Sequence, residues 1–417
     1  MKKYGYFWPF LLGKNFYYVT KRKKNVTIIT RIDVRMIKVK TYTCIATSSF
    51  GLEAVVKREL IGLGFTIKDT ENGKVTFACD ARGIVKANLW LRSADRVLIK
   101  IAEFDALTFD ELFDNTNRVP WYEYISKDGN FVVSGKTVKS KLSSVRNVQK
   151  ITEKAIIKSL QSKYRIDYFS KSKEDYPILV SILKDKVTLT LDTSGDGLHK
   201  RGYRVETVEA PMKETLAAAI IQLSFWDSSR PLYDVFCGSG TIPIEAAMIG
   251  RNIAPGLNRD FTGKHFAFLG DSLWKEETKK AYLAIDHDVD LQIFASDISS
   301  QNLEAAKENA IEAGVDDCIT FRNADYQDVD YNQDYGVLIS NPPYGERLSE
   351  QKEVKRLYQS MGKLFAKLDT WSIYILTSYD DFEHVYGHKV SRRRKLYNGR
   401  IETWFYQYYG PRPPKEE

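Results

Sequence analysis

The alternation of apolar and polar positions changes character along the chain. Residues 42–45 read as a short strand leading into 51–63, where Leu52, Val55, Val56, Leu60 and Leu63 recur at helical spacing. Gly64 is placed to end that helix. A strand over 74–78, a helix through Ala87 and Leu91, and the alternating Val97, Ile99 and Ile101 follow. This βαβ-αβ order predicts a small ferredoxin-like unit over 41–104. A second α+β unit is expected over 105–195: a helix at 110–117, a strand at 130–136, a helix at 146–160 and strands at 177–183 and 187–192 joined at Lys184-Asp185-Lys186. Thr193-Ser194-Gly195-Asp196-Gly197 is turn chemistry and marks a hinge, with a linker over 196–212. From 213 to 417 buried-strand runs alternate with amphipathic helices, and Asn398-Gly399 joins two final strands as a hairpin. The pattern predicts an α/β, Rossmann-like domain, a mostly parallel seven-stranded sheet closed by an antiparallel hairpin.

Composition narrows this little. An apolar fraction of 43% and a charged fraction of 28% suit an ordinary globular protein. No apolar run approaches the ~18 residues that a membrane helix needs. The net charge of +8 is uneven: the first forty residues hold eleven Lys or Arg and one acid, Asp33, so the other 377 carry −2. Any nucleic-acid affinity of the body must then come from local patches. Cys44, Cys79, Cys237 and Cys318 are scattered without metal-ligand spacing, which predicts a reducing cytoplasm and no metal site. The apolar start of the leader ends at Lys14 and lacks a small-residue cleavage site, unlike a signal peptide. The regular pattern begins only at Tyr42. Residues 1–40 read as an appendage with a basic cluster at Lys21 to Lys24, or as an over-extended start before Met36, and receive no function.

The candidate chemistry lies at strand ends. The apolar run 335–340 stops at Asn341-Pro342-Pro343-Tyr344, where two prolines cannot continue a ladder. The Asn341 amide oxygen and the Pro342 carbonyl can accept the two hydrogens of an exocyclic amine, and Tyr344 can stack on its ring. This tetrapeptide is similar to the signature of S-adenosylmethionine-dependent methyltransferases acting on amino or amide nitrogen. A plain turn closing a core strand is the alternative. Earlier, Asp234 and the loop Cys237-Gly238-Ser239-Gly240-Thr241 read as strand, glycine turn and helix start. Glycines allow close backbone approach, and a helix N-terminus favours a carboxylate such as that of a methionine moiety. Asp234 could take the amino group, Asp297 the ribose hydroxyls and Asp325 the adenine amine. Asp297 could equally cap the helix 300–313. For RNA, 198–204 interleaves His199, Lys200, Arg201, Tyr203 and Arg204, types that grip phosphate and stack bases. Lys139, Lys141 and Arg146 flank a helix start and could bind phosphate or simply be solvated.

With these stretches placed, the chain from about Tyr42 resembles the bacterial THUMP-domain RNA methyltransferases that methylate the exocyclic N2 amine of guanine in large-subunit (23S) ribosomal RNA. The match rests on 198–204, 210–217, 234–241 and 341–348 occurring in that order. The resemblance implies a THUMP domain for the second unit, with ribosomal RNA as partner, and a ferredoxin-like companion for the first. It implies that Asp234, Gly238, Ser239, Gly240, Asp297 and Asp325 hold S-adenosyl-L-methionine. Cys237, Thr241, Ile298 and Thr215 are assigned to the same site, and Asn341 to Tyr344 to the base. Residues 1–40 have no counterpart. A single methyltransferase domain is read, so one modification is expected, whereas fused relatives carry two.

Guanine's amine is a poor nucleophile because its lone pair is delocalised. Accepting its hydrogens at Asn341 and Pro342 favours pyramidal nitrogen, so positioning and electrostatics carry the rate. None of the cysteines sits where a pyrimidine-C5 nucleophile would. In duplex RNA the target amine lies at the minor-groove edge, so the base is expected to be unpaired or flipped out. Adenine-N6 methylation of nucleic acid uses the same tetrapeptide, as does methylation of a protein glutamine amide. A non-catalytic RNA-binding assembly factor is the reading from another class.

Overall fold

The computed structural model describes residues 7–12, 15–22, 25–29, 40–165, 175–206, 212–345 and 351–414. Two compact units divide the chain, residues 1–40 and 41–417.

The first unit holds an antiparallel meander, β1 (Phe7–Leu12), β2 (Asn15–Arg22) and β3 (Asn25–Ile29). Pairing runs out to Leu12 opposite Asn15 and Arg22 opposite Asn25, so each connection is two residues. Regular structure therefore begins well before Tyr42. Its signal was the aromatic and β-branched run Phe16-Tyr17-Tyr18-Val19-Thr20, which suits a pleated surface. Lys23, Lys24 and Met36 lie outside the described residues.

The second unit opens with β4 (Tyr42–Thr47), α1 (Glu53–Gly62), β5 (Thr66–Glu71), β6 (Lys74–Cys79), α2 (Ala81–Trp90) and β7 (Arg96–Asp105). Strand β5 completes a βαββαβ order that the apolar pattern missed. Its sequence, Thr-Ile-Lys-Asp-Thr-Glu, lies at a sheet edge with five of six residues exposed, so it carries no burial signal. Then come α3 (Phe109–Asn117), β8 (Asn130–Val138), α4 (Val145–Tyr164), β9 (Asp175–Leu183) and β10 (Lys186–Asp192). Lys184 and Asp185, at φ of 50° and 65°, make the two-residue turn between β9 and β10.

The two small units are not separate layers. One seven-stranded sheet runs β5-β6-β4-β7-β10-β9-β8. The ten-residue β7 pairs with β4 along its first half and with β10 along most of its length. A strand long enough for two partners fuses the units.

The C-terminal half contains α5 (Glu214–Leu223), β11 (Leu232–Asp234), α6 (Thr241–Gly250), α7 (Asp271–Leu283), β12 (Ile293–Asp297), α8 (Ser300–Ala313), β13 (Ile319–Asn323), β14 (Val337–Ser340), α9 (Gln351–Phe365), β15 (Ser372–Thr377), α10 (Phe382–Tyr386), β16 (Arg392–Asn398) and β17 (Ile401–Tyr408). Its sheet order is β13-β12-β11-β14-β15-β17-β16. The first five strands are parallel and β17 is antiparallel to both neighbours. Strands β14 and β15 are buried at every residue, as parallel strands covered on both faces must be. The closing hairpin turns on Gly399 and Arg400, with Asn398 already paired to Ile401. Gly399 takes φ +64° at the first turn position, so the turn sits one residue later than the Asn-Gly pair suggested.

The excursion between α6 and β12 joins the halves. Phe261, Phe266 and Trp274 belong to the same core as Trp121 and Tyr176 of the N-terminal half. Tyr176 stacks on Phe266 at 4.8 Å, and Arg82 on α2 bonds both Glu276 and Glu277 on α7. Among the described residues no helix is long and apolar enough to cross a membrane.

Candidate active site

Sheet order reverses between β11 and β14, which leave in opposite directions to their next neighbours. Open α/β sheets bind ligands outside the carboxyl ends of strands at such a point. Here β11 ends at Asp234 and β14 at Ser340, and a cavity of 620 Å³ opens over both.

Asp234 is 1% exposed. Its Oδ1 accepts from the Ser340 hydroxyl at 2.8 Å and from the Phe236 N–H at 3.2 Å. Oδ2 takes no hydrogen bond among the described residues and is left for the cavity. Burial pushes the carboxyl up to about 7, against the downward pull of the Ser340 bond. A carboxyl held this way is short of a cationic partner.

Beyond Asp234, Gly238 takes φ +52° with open space where a Cβ would lie, and its N–H donates to Asp297 Oδ2 at 2.9 Å. Asp297 Oδ1 accepts from the Ser299 N–H and from Asn302 Nδ2. The helix cap itself is Ser299, so Asp297 ties the glycine loop to the start of α8. Gly240, at φ +81°, caps α6, and a Cβ there would meet Ala306 at 3.0 Å. That glycine serves the packing of α6 on α8 and does not line the cavity. Thr215 is buried in the first turn of α5 and does not line it either. Cys237, Ser239, Thr241, Asp325 and Ile298 do. Burial holds the Cys237 thiol well above its ordinary range, so it is protonated. Ile298 is 74% exposed, a bare apolar surface on the cavity wall.

Asn341, Pro342, Pro343 and Tyr344, at the end of the adjacent strand β14, form a second wall of the cavity. The Tyr344 hydroxyl donates to Asn341 Oδ1. Tyr358, on α9, donates to the Pro343 carbonyl at 2.7 Å and shares a 2.9 Å bond with Thr377. Pro343 O is thus occupied, whereas Pro342 O takes no hydrogen bond among the described residues. Residues 346–350, which continue this motif, lie outside them.

The linker behaves differently from its expected role. Arg201 and Tyr203 are 2% and 1% exposed and cannot grip or stack on RNA. Both bond Glu245, on α6, which is fully buried. A buried carboxylate must be compensated in place, and the linker supplies the compensation. Arg204 is likewise engaged: Glu214 at 2.8 Å, Ser239 Oγ at 2.8 Å and Thr241 Oγ1 at 2.9 Å. It clamps the glycine loop. His199 and Lys200 line a neighbouring cavity instead. Lys139, Lys141 and Arg146 are exposed between β8 and the start of α4, and none lines the catalytic cavity.

Several working residues carried no sequence signal. Ser340 could have been found, since it directly precedes Asn341 on a strand. Tyr358, Asn302 and Asn309 could not, because their partners lie in other elements; Asn309, on α8, donates through Nδ2 to the Ser239 carbonyl.

The residues present fit S-adenosylmethionine. A buried carboxylate with one free oxygen suits the ammonium, open backbone at Gly238 suits close approach, and apolar Ile298 beside Asp297 and Asp325 suits a nucleoside. Bound there, this cofactor supplies an electrophilic methyl group between the two walls.

The chain matches the family described as RMKL-like, methyltransferase domain, over residues 201–407. Residues 43–98 match the RlmL ferredoxin-like domain and 106–192 the THUMP domain. It is 49% identical over 380 residues to YpsC of Bacillus subtilis (strain 168), provisionally named an RNA methyltransferase, covering 91% of this chain and 98% of that one. It is 34% identical to the ribosomal RNA large subunit methyltransferase K/L of Syntrophotalea carbinolica, covering 86% of this chain but only 52% of that protein. The crystal structure of SMU.472 in complex with SAH superposes with a TM-score of 0.85 at 44% identity, covering 90% of this chain and all of that one. A Listeria monocytogenes protein described as a predicted N6-adenine-specific DNA methylase superposes at 0.86 with 47% identity, covering 91% of this chain and 99% of that one. The chain belongs to the family of S-adenosylmethionine-dependent methyltransferases that join ferredoxin-like, THUMP and RMKL-like domains.

Proposed function

We propose that the protein transfers a methyl group to the exocyclic N2 amine of a guanine in large-subunit (23S) ribosomal RNA, in the cytoplasm. One observation carries the reading: Asn341 and Pro342, whose carbonyl takes no hydrogen bond among the described residues, line the same cavity as Asp234. Two acceptors side by side suit an amine with two hydrogens. The THUMP match and the large-subunit ribosomal RNA methyltransferases among the relatives support RNA as substrate, although the chain spans about half the length of those relatives.

Asn341 Oδ1 and Pro342 O would each accept one N–H and turn the nitrogen lone pair toward the methyl. The Tyr344 hydroxyl takes one acceptor site of Asn341 Oδ1, and the second lone pair of that oxygen is left for the amine. Tyr358 fixes the Pro343 carbonyl and with it the direction of its neighbour. One proton leaves to solvent water after methyl transfer, when the charged nitrogen is a strong acid and the sulfonium has become a neutral thioether, so no strong base is needed beforehand.

The Listeria protein's description favours adenine N6 as the second reading, and the same two acceptors suit that amine. Nucleoside mass spectrometry decides. Ribosomal RNA from a deletion strain, incubated with protein and S-adenosylmethionine, should gain N2-methylguanosine; methyladenosine instead would overturn the base. With Asn341→Ala the product should fall at least about 100-fold, the scale of losing one such hydrogen-bonding group.

A further inference from the structure

A second cavity, of 950 Å³, lies beside the catalytic one, with Met212 in both walls. It is built from the linker after β10, the start of α5 and the loop 258–265. Its side chains include five cations, Lys200, Arg201, Arg204, Lys213 and Arg259.

Three of these are balanced. Arg201 faces Glu245, Arg204 faces Glu214, and Lys200 pairs loosely with Asp196 at 3.2 Å. Asp260, the remaining acid of the wall, is held by Lys264. Arg259 differs. Its guanidinium donates to the carbonyls of Ser194, Asp196, Gly197 and Lys200, and stacks on Phe261 at 4.9 Å. Carbonyls satisfy its hydrogens without cancelling its charge. Burial and the nearby Arg201 pull it down to about 10, against the upward pull of Asp196 and Asp192, and it stays cationic near neutrality. Lys213 forms no ion pair among the described residues, although its charge acts on the buried Asp95. Arg259 thus supplies a fixed field and Lys213 a free ammonium. Low-dielectric walls focus such a field.

We propose that this cavity binds a backbone phosphate of the substrate RNA next to the target nucleotide, with Lys213 as the contacting group and Arg259 as the buried charge behind it. The inference rests on the RNA reading above and is indifferent to which base is methylated. The position fits: the cavity adjoins the catalytic one, and Arg204, in its wall, is bonded to Ser239 and Thr241 in the other. A nucleotide flipped toward Tyr344 leaves its flanking phosphates outside, and this is where positive charge waits for them.

The test is equilibrium binding of a 23S ribosomal RNA transcript by the full chain across a salt series, with Lys213→Ala and Lys213→Arg. Lys213→Ala should weaken binding about tenfold near 0.15 M salt. It should also lower the slope of log K against log salt by about 0.7 to 0.9, the loss of one phosphate contact. Lys213→Arg should restore both, and SAH affinity should not change. Unaltered RNA affinity and slope, or no RNA binding by the unsubstituted protein, would overturn the proposal. So would a Lys213→Ala effect confined to adenosine 5′-monophosphate, which would make the cavity a small-nucleotide site. Nucleoside analysis of the unsubstituted protein's product tests the guanine reading separately: methyladenosine would sink that reading and leave this one standing.

Discussion

If Asp234 holds the cofactor's ammonium, as proposed, cofactor binding should depend on pH. The Asp234 carboxyl is pushed up to about 7 by burial, and a cationic ligand needs it charged. Affinity for S-adenosylmethionine or SAH should be full above about pH 7 and fall by up to about tenfold per unit below it. Calorimetric titration from pH 5.5 to 8.5 measures this, and Asp234→Asn should flatten the profile at a low affinity. Folding has the opposite sign. The ligand-free folded chain keeps a proton that the unfolded chain, with its ordinary carboxyl, releases, so this group's contribution to stability shrinks as pH rises from about 4 to 7. Ligand should therefore raise Tm more at pH 8 than at pH 6. Tyr358 sets a second residue-scale test. Tyr358→Phe frees the Pro343 carbonyl without touching the Asp234 wall. kcat should fall about 10- to 100-fold, the scale of a misplaced reacting group, while SAH affinity stays the same.

At the scale of elements, the linker is a structural strap. Arg201 and Tyr203 converge on Glu245 in the core of α6, and Arg204 reaches past α5 to the glycine loop. Glu245→Ala leaves the Arg201 guanidinium buried and unpaired, and should destabilise by about 3–5 kcal/mol in urea denaturation. RNA affinity measured on the fraction still folded should not fall, since the change removes an acid and leaves every cation of the cavity in place. The histidine and basic residues of this segment were legible as unusual; what they do was not. A motif dense in Arg and Tyr looks the same whether it faces phosphate or an internal carboxylate, because its partner Glu245 lies 44 residues on from Arg201. Strand β5 went unseen for a different reason: a polar edge strand buries nothing, so periodicity has nothing to report.

For the molecule as a whole, the N-terminal half borrows its core. Phe261, Phe266 and Trp274, from the excursion inside the methyltransferase half, pack with Trp121 and Tyr176. Residues 41–195 expressed alone should therefore lack a cooperative urea transition, although family boundaries would suggest an independent module. In the full chain, Phe266→Ala should cost about 3–5 kcal/mol. The consequence is that the N-terminal sheet and the methyltransferase half are joined through packed aromatics and share one core.

The sequence by itself determined the kind of fold and several residues that line one cavity at the strand ends. Buried parallel strands must be continuous apolar runs, and a strand end broken by two prolines or a glycine turn must present its polar residue, so Asp234, Asp297 and Asn341 were readable from local pattern. Pro342 was already the expected acceptor; the tertiary structure added that the Pro343 carbonyl is held by Tyr358 from another helix. It also decided that Arg201 and Tyr203 face inward, that Gly240 serves packing, and that Lys213 and Arg259 stand together. The physical reason is common to all of these. Periodicity reports whether a side chain is buried, whereas its partner, and so its charge balance, is set by elements far away in the chain.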